Sequence, residues 1–407
     1  MFCWKYYSLK TTEKKIFILY SKPPNENPEN IGSVKLRHGK FSILFISVIL
    51  LMIMCTTAGS AAVEALKGNE QVITEAFGNQ INPVISGNYI VWQDERKGNS
   101  DIYMYDLSVG RTEVPLFSGA KDEMEPAISG NRLVVSDYKR GEPDIYLYDL
   151  SSKTQTQITF DSSSHTEPAI SGDKIVWTDR RNQNTDIYMY DIPSKKETRV
   201  TMDKADQTQP AISGNIIVWK DTRNGNGDIY MYDISTGKES PVVTDPAEQS
   251  NPAVDGNYIV WEDRRNGNLD LYMFDLSTGK EKPVDTDPSV QKNPAISNGR
   301  IVWADGRIKG TNIFIYDIAT GQEKTVSTAS EYESNPAIDG SKIVYQDKRK
   351  GTMDIYLFTG EDKGAERENK GEAQSGAKTP IGIYPAATAI VAAYLVATVG
   401  ENRRRKI

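Results

Sequence analysis

A unit of about forty residues recurs seven times, and this repetition constrains the fold more than any other property of the chain. The stretch DRRNGNLDLYMFD from Asp263 returns as DTRNGNGDIYMYD from Asp221, DRRNQNTDIYMYD from Asp179, DGRIKGTNIFIYD from Asp305 and DERKGNSDIYMYD from Asp94. Looser copies begin at Asp137 and Asp347. A proline opening PAISG or a close variant stands eleven residues upstream of each copy, at Pro83, Pro126, Pro168, Pro210, Pro252, Pro294 and Pro336. The first spacing is 43 residues and the next five are 42. A repeat of this length is one supersecondary unit that buries its apolar faces only against its neighbours. A motif present seven times is also a poor candidate for a single active site.

The fifth unit shows what one repeat forms. NPAVDG (251–256), NYIVWED (257–263), DLYMFDL (270–276) and KEKPVDT (280–286) are separated by the turns DGN, RRNGN and STG. Short β-branched and aromatic runs between Gly/Asn turns predict an antiparallel four-stranded meander, with no helical period. Ile259 and Trp261 face one way and Val260 the other; Leu271 and Met273 oppose Tyr272 and Phe274. Both faces are apolar, so both must be covered. The first strand carries small residues (Ala127, Ala169, Ala211, Ala253, Ala295, Ala337), as strands converging on an axis require, and the polar fourth strand belongs on the rim. These features predict an all-β, seven-bladed β-propeller over 70–360, with repeats starting near 82, 125, 167, 209, 251, 293 and 335. The seventh unit ends at DIYLFTG (354–360) without a fourth strand. EQVITEAFGNQI (70–81) matches the fourth strand KETRVTMDKADQT (196–208), so the N-terminal strand is expected to complete the last blade and close the ring.

The two ends read as membrane signals. Residues 1–61 are an N-terminal extension plus a signal peptide: Lys35, Arg37 and Lys40 precede an apolar run from Phe41 to Met54, and small residues at Ser60 to Ala62 suit cleavage. The polar stretch before Val34 is unlike a signal, which suggests Val34 as a start. Residues 361–380 form a Gly-, Glu- and Lys-rich linker. IGIYPAATAIVAAYLVATVG (381–400) has no charge, and at ~1.5 Å per residue a helix of this length spans a bilayer core. The tail 401–407, with Arg403, Arg404, Arg405 and Lys406, is expected on the cytoplasmic side, leaving the propeller outside, on the cell surface.

Composition excludes several chemistries. Residues 62–380 hold 51 acidic and 36 basic residues, which argues against a nucleic-acid groove. Cys3 and Cys55 lie outside the repeats, and His165 is the one histidine inside them, which removes Cys/His zinc sites and cysteine nucleophiles and leaves a Ser-His-Asp triad only His165 to rest on. His165, in DSSSHTEP, reads as a solvated loop residue. No cofactor is implied. An EF-hand fails as well: from Asp263, positions 3, 5 and 12 are Arg265, Gly267 and Phe274.

Two sets of repeated polar residues remain as binding candidates. One is the base two residues after each motif aspartate: Arg96, Arg181, Arg223, Arg265, Arg307 and Arg349, with Lys139 in the second unit. These flank the turn between second and third strands, where each aspartate is expected to cap the turn and each base to pair with the aspartate of its own or the next blade. The other is the residue before each repeat proline: Asn82, Glu125, Glu167, Gln209, Asn251, Asn293 and Asn335, placed at one mouth of the central channel. The most variable loops, from fourth to first strand, fall on that same face, where binding on a rigid scaffold usually resides. The pairs Tyr103/Tyr105, Tyr146/Tyr148, Tyr188/Tyr190 and Tyr230/Tyr232 share one face of their strands and are expected to pack between blades.

The consensus IVWxDxRxGNxDIYMYDLSTGKE resembles the propeller repeats of TolB-type proteins and those of archaeal cell-surface, surface-layer-type proteins. The resemblance covers about 70–360 and implies a propeller. With the membrane signals, it implies an anchored surface module that meets a cell-envelope protein or glycan without catalysis. A secreted propeller enzyme acting on carbohydrate or peptide is the alternative.

Overall fold

The computed structural model describes residues 4–10, 15–21, 63–110, 113–327 and 332–361. Trp4–Lys10 and Lys15–Ser21 pair as a two-stranded antiparallel sheet within a unit that spans Met1–Ala62. The expected signal segment (35–61), most of the linker (361–380), the apolar helix (381–400) and the tail (401–407) lie outside the described residues. Among the described residues, no helix is long and apolar enough to cross a membrane.

From Val63 onward the chain forms seven four-stranded antiparallel sheets, the blades of a β-propeller. The fifth blade is Gln249–Asp255, Tyr258–Asp263, Asp270–Asp275 and Lys280–Asp285, in chain order from inside to outside. Six blades are built this way. In the seventh, Glu333–Asp339, Lys342–Asp347 and Asp354–Gly360 take their outer strand from Gly68–Thr74, with Glu70 opposite Phe358 and Gln71 opposite Leu357. Inner strands begin two residues before the proline-based pattern suggests. Gln249 and Ser250 pair with Asp263 and Glu262, and then the register shifts before Ala253 pairs with Val260. The bulge at Asn251–Pro252 hides this early pairing from a reading by alternation.

The core lies between blades rather than within them. Trp261, Ile259 and Tyr272 of the fifth blade pack with Val218, Ile229 and Val243 of the fourth. Val260, Leu271 and Met273 turn the other way, toward Ile301, Trp303 and Phe314 of the sixth. A strand apolar on both faces is what this arrangement demands. Trp92, Trp177, Trp219, Trp261 and Trp303 are all fully buried, and side chains of this size are each worth about 3–5 kcal/mol by truncation to alanine. The same packing joins the ends of the repeat array, where Val344, Ile355 and Leu357 share a cluster with Ile85, Ile90 and Trp92.

Polar bonds run around the ring at three levels. At one face, the first inner-strand residue of each blade donates its N–H to a carbonyl of the preceding blade, as Gln249 does to Gly227 (2.7 Å) and Gln80 to Met353 (2.7 Å). At the opposite face, the Ser-Gly pair of PAISG links blades. Gly214, at φ +57°, donates its N–H to Ser171 Oγ (3.0 Å) of the preceding blade, and Gly172 does the same to Ser129 (3.0 Å). Asp339 and Asp255 take the serine's role toward Gly87 and Asn298. The third level is the pre-proline ring described below.

Candidate functional site

The Asp/Arg turns are built from side chains that satisfy one another. Asp263 is fully buried and accepts hydrogen bonds from Trp261 Nε1 (3.0 Å), the Arg265 N–H (2.9 Å) and Arg265 Nη2 (2.6 Å). Arg265 reaches onward to Glu281 on the outer strand (2.5 Å) and lies 4.0 Å over the Tyr272 ring, which itself stacks on Trp261. Burial opposes the guanidinium charge, but the bonds to Asp263 and Glu281 more than offset it and raise the Arg265 pKa. The other glycine-asparagine residues of the turn are also engaged. Asn266 and Asn268 donate to the two oxygens of the buried Asp270 (2.6 Å each), and Asn268 also donates to Asp287 O (3.0 Å) and Ser289 O (2.7 Å) in the next interblade loop. Asp270 is thus held by amides. Among the described residues, no group of three or more His, Cys, Asp or Glu is arranged for a metal ion.

The same pairing holds Arg96 to Asp94 and Glu113, Arg181 to Asp179 and Glu197, Arg223 to Asp221 and Glu239, Arg307 to Asp305 and Glu323, and Arg349 to Asp347 and Glu70. Each base pairs within its own blade, and two also reach back toward the preceding one: Arg307 to Asp285 on the outer strand of the fifth blade, and Arg181 to Asp161 in the interblade loop (3.5 Å). The outer-strand glutamate was not anticipated from the sequence, although its signal is there: Arg181, Arg223, Arg265 and Arg307 each precede their glutamate by 16 residues. The second blade departs at three linked positions, with Val135 for tryptophan, Lys139 for arginine and Gln155 for glutamate; Lys139 lies over Tyr146 at 3.6 Å.

The pre-proline residues form the ring at the channel. Asn82, Glu125, Glu167, Gln209, Asn251, Asn293 and Asn335 all have left-handed backbone, with φ between +48° and +56°. Such a conformation costs a non-glycine residue about 1–2 kcal/mol and persists only where the surroundings hold it. In six of the seven the kink turns the N–H sideways, to a side-chain oxygen on the preceding blade around the ring. Glu125 bonds to Gln93 (3.0 Å), Glu167 to Glu125 (2.7 Å), Gln209 to Glu167 (2.7 Å), Asn251 to Gln209 (3.0 Å), Asn293 to Glu262 (2.7 Å) and Asn82 to Gln346 (2.9 Å). Burial, reinforced by Glu167, raises the Glu125 pKa. A cavity of about 240 Å³ opens at this ring, lined by Glu167, Pro168, Gln209, Pro210, Asn251 and Pro252. That is below the ~300–1,000 Å³ usual for small-molecule pockets.

His165 corrects the sequence reading. It is fully buried at the start of an inner strand, not a solvated loop residue. It stands where Gln80, Gln207, Gln249 and Gln291 stand in other blades, all likewise fully buried. Those glutamines donate to loop carbonyls, as Gln249 does to Ala247 O (2.7 Å). The imidazole fills that polar slot, facing Pro143 O (3.2 Å) and Asp161 (3.3 Å).

The loops between blades lie beside the Asp/Arg turns, as the bond from Arg264 N–H to Glu248 O shows (3.0 Å). They carry most of the large exposed apolar side chains: Phe77 (89 % exposed), Phe160 (68 %), Met202 (73 %), Val290 and Tyr332. Phe160 and Met202 occupy equivalent positions on adjacent blades. Each follows a buried threonine, Thr159 or Thr201, whose hydroxyl accepts a 2.9 Å bond from Ile145 N–H or Ile187 N–H. A firmly tied backbone therefore presents both. The tyrosine pairs are structural: Tyr103, Tyr146, Tyr188 and Tyr230 are buried.

Comparison with known proteins agrees with this architecture. The family described as PD40, the TolB beta propeller domain, matches residues 53–215. No curated protein sequence matches the chain. Among solved structures, an oligogalacturonate lyase in complex with manganese is similar at 11% identity over 73% of this chain and 99% of its own, with a TM-score of 0.56. The β-propeller domain of the Trilobed protease from Pyrococcus furiosus, with an open velcro topology, is similar at 16% identity over 71% and 96%, TM-score 0.56. TolB from Acinetobacter baumannii shares 21% identity over 65% and 67%, TM-score 0.48. The family match and the seven four-stranded sheets make this domain a TolB-like β-propeller.

Proposed function

We propose that the protein is a membrane-anchored, cell-surface propeller that acts as a non-catalytic binding module of the cell envelope. In this reading the ring is closed by its own N-terminal strand, residues 381–400 span the membrane, and the loop-bearing face meets an envelope protein or glycan. The exposed apolar side chains on that face carry the proposal. Large solvated apolar groups on a rigid scaffold are typical anchors of a macromolecular interface. The chemistry around them supports the same view. The pre-proline ring repeats around the channel, its cavity is small, and the turn arginines are each engaged by carboxylates, features that suit a repeated binding face better than a single reactive centre.

The test is capture from envelope extract on an immobilised fragment spanning residues 62–365, with Phe160→Ser/Met202→Ser as the control surface. Retention of a discrete partner by the parent fragment alone is the expected result. No retained partner, together with turnover of an oligosaccharide or peptide panel, would establish the enzyme reading instead.

A further inference from the structure

The outer strand of a propeller blade leaves one row of backbone N–H and C=O groups unpaired, a template for another strand. Six of the seven outer strands carry a charge, a proline or both. Pro115, Pro241 and Pro283 interrupt the first, fourth and fifth. Lys196–Arg199 carries three charges, and a two-fold pair centred on Glu197 would set that carboxylate against its own copy. The seventh carries Glu70. The sixth, Gln322–Thr325, would set Glu323 or Lys324 against its own copy in a two-fold pair. That edge is already covered: Ala65 bridges to Thr325, Leu66 N–H donates to Thr325 O (2.7 Å), and Thr325 N–H donates to Glu64 O (3.0 Å).

The second blade is different. Its outer strand is Thr154–Gln157, with the sequence TQTQ, and Thr154, Gln155 and Thr156 are exposed. It holds no charge and no proline. The loss of charge here is linked to the turn. Lys139 pairs with Asp137 (3.3 Å) and covers Tyr146, so no outer-strand glutamate is needed, and Gln155 stands in its place. Paired with its own copy about a two-fold axis normal to the sheet, the strand sets Gln155 opposite Gln155 and Thr154 opposite Thr156, so no like charges meet.

We propose that Thr154–Gln157 is the seam at which a second copy of this chain pairs, antiparallel about a two-fold axis, joining two four-stranded sheets into one of eight. A strand of four residues buries far less than the ~1,200–2,000 Å² of a stable interface. The association is therefore weak, with a dissociation constant on the order of 100 µM. It is also independent of whatever the loop-bearing face binds.

Sedimentation equilibrium of the full chain in density-matched nonionic detergent tests this between about 10 and about 500 µM, a range that brackets this affinity. The parent chain is expected to approach twice the monomer mass at the upper end. Thr154→Lys/Thr156→Lys and Thr154→Glu/Thr156→Glu should each stay monomeric, and an equimolar mixture of the two should associate again, which no folding defect would produce. A parent chain monomeric throughout would overturn the proposal. So would a lysine variant that associates as fully as the parent, or a mixture that does not associate.

Discussion

The Glu70 carboxylate accepts a 2.8 Å hydrogen bond from Arg349 Nη1, across a sequence separation of 279 residues. Within the fifth blade, Glu281 and Arg265 make the same contact 16 residues apart. Glu70 also accepts a hydrogen bond from the Tyr345 hydroxyl, at the position where five other blades have tryptophan. The N-terminal strand thus brings to the seventh sheet the carboxylate that its arginine requires. Replacing Glu70 with alanine is expected to lower stability by about 1–2 kcal/mol, because the pair is only part-exposed and Tyr345 loses its partner. A double-mutant cycle with Arg349→Lys, read by chemical denaturation, should show coupling; additivity would count against the link.

Asp263 is the stricter case. Removing it by Asp263→Ala leaves the buried Trp261 indole N–H without its acceptor and the part-exposed Arg265 guanidinium with Glu281 alone. The expected loss is about 3 kcal/mol, far more than for Asp275→Ala on the exposed turn that ends the next strand. Denaturation midpoints of the two variants check the contrast.

Two buried glutamates predict a pH dependence. Burial, with nearby carboxylates, pushes Glu123 and Glu333 from 4.5 up to about 7. A carboxyl raised on folding contributes stability that is complete below its unfolded pKa and is lost as pH rises through its folded one. Stability should therefore decline from about pH 4.5 to about pH 7 through these groups. The variant Glu123→Gln/Glu333→Gln installs the residue found at Gln80, Gln207, Gln249 and Gln291. It should match the parent near pH 4.5 and exceed it at pH 8, by at most about 3 kcal/mol for each group. Melting curves across that range provide the measurement, and a constant difference between the two proteins would contradict it.

Phe160 and Met202 predict a surface effect without a fold effect. Each stands largely in solvent, so Phe160→Ser/Met202→Ser should change stability by less than ~0.5 kcal/mol. Partner capture through the loop-bearing face should fall at least about tenfold if these are the anchors. Equal capture by parent and variant would move the binding surface elsewhere.

Much of the fold was legible because the repeat makes it so. Alternation on strands apolar on both sides pointed to sheets covered on both faces, and Ile259, Val260 and Trp261 divide between neighbours as that pattern requires. Partnerships formed across blade junctions were not legible. Ser171 and Gly214 are 43 residues apart, and nothing local shows that one accepts from the other. His165 misled for the same reason. Its neighbours Asp161 to Ser164 look like solvent-facing loop, while its burial is set by a slot that Gln207 fills in the next blade. The left-handed kinks were hidden too, since a residue before proline ordinarily favours extended backbone.

The pre-proline ring has a direction. Six of the seven kinked N–H groups are held by the preceding blade around the ring, Asn82 by the seventh, and several of the ring's side chains, such as Glu125 and Glu167, serve the next kink in turn. The conformation of one repeat is thus partly specified by its predecessor. A whole 42-residue segment exchanged between positions would bring one acceptor and one donor in matching phase, leaving the circuit intact. A segment cut at any other period would break it at both joins. Recombination among the repeats is confined to their own register by geometry as well as by sequence.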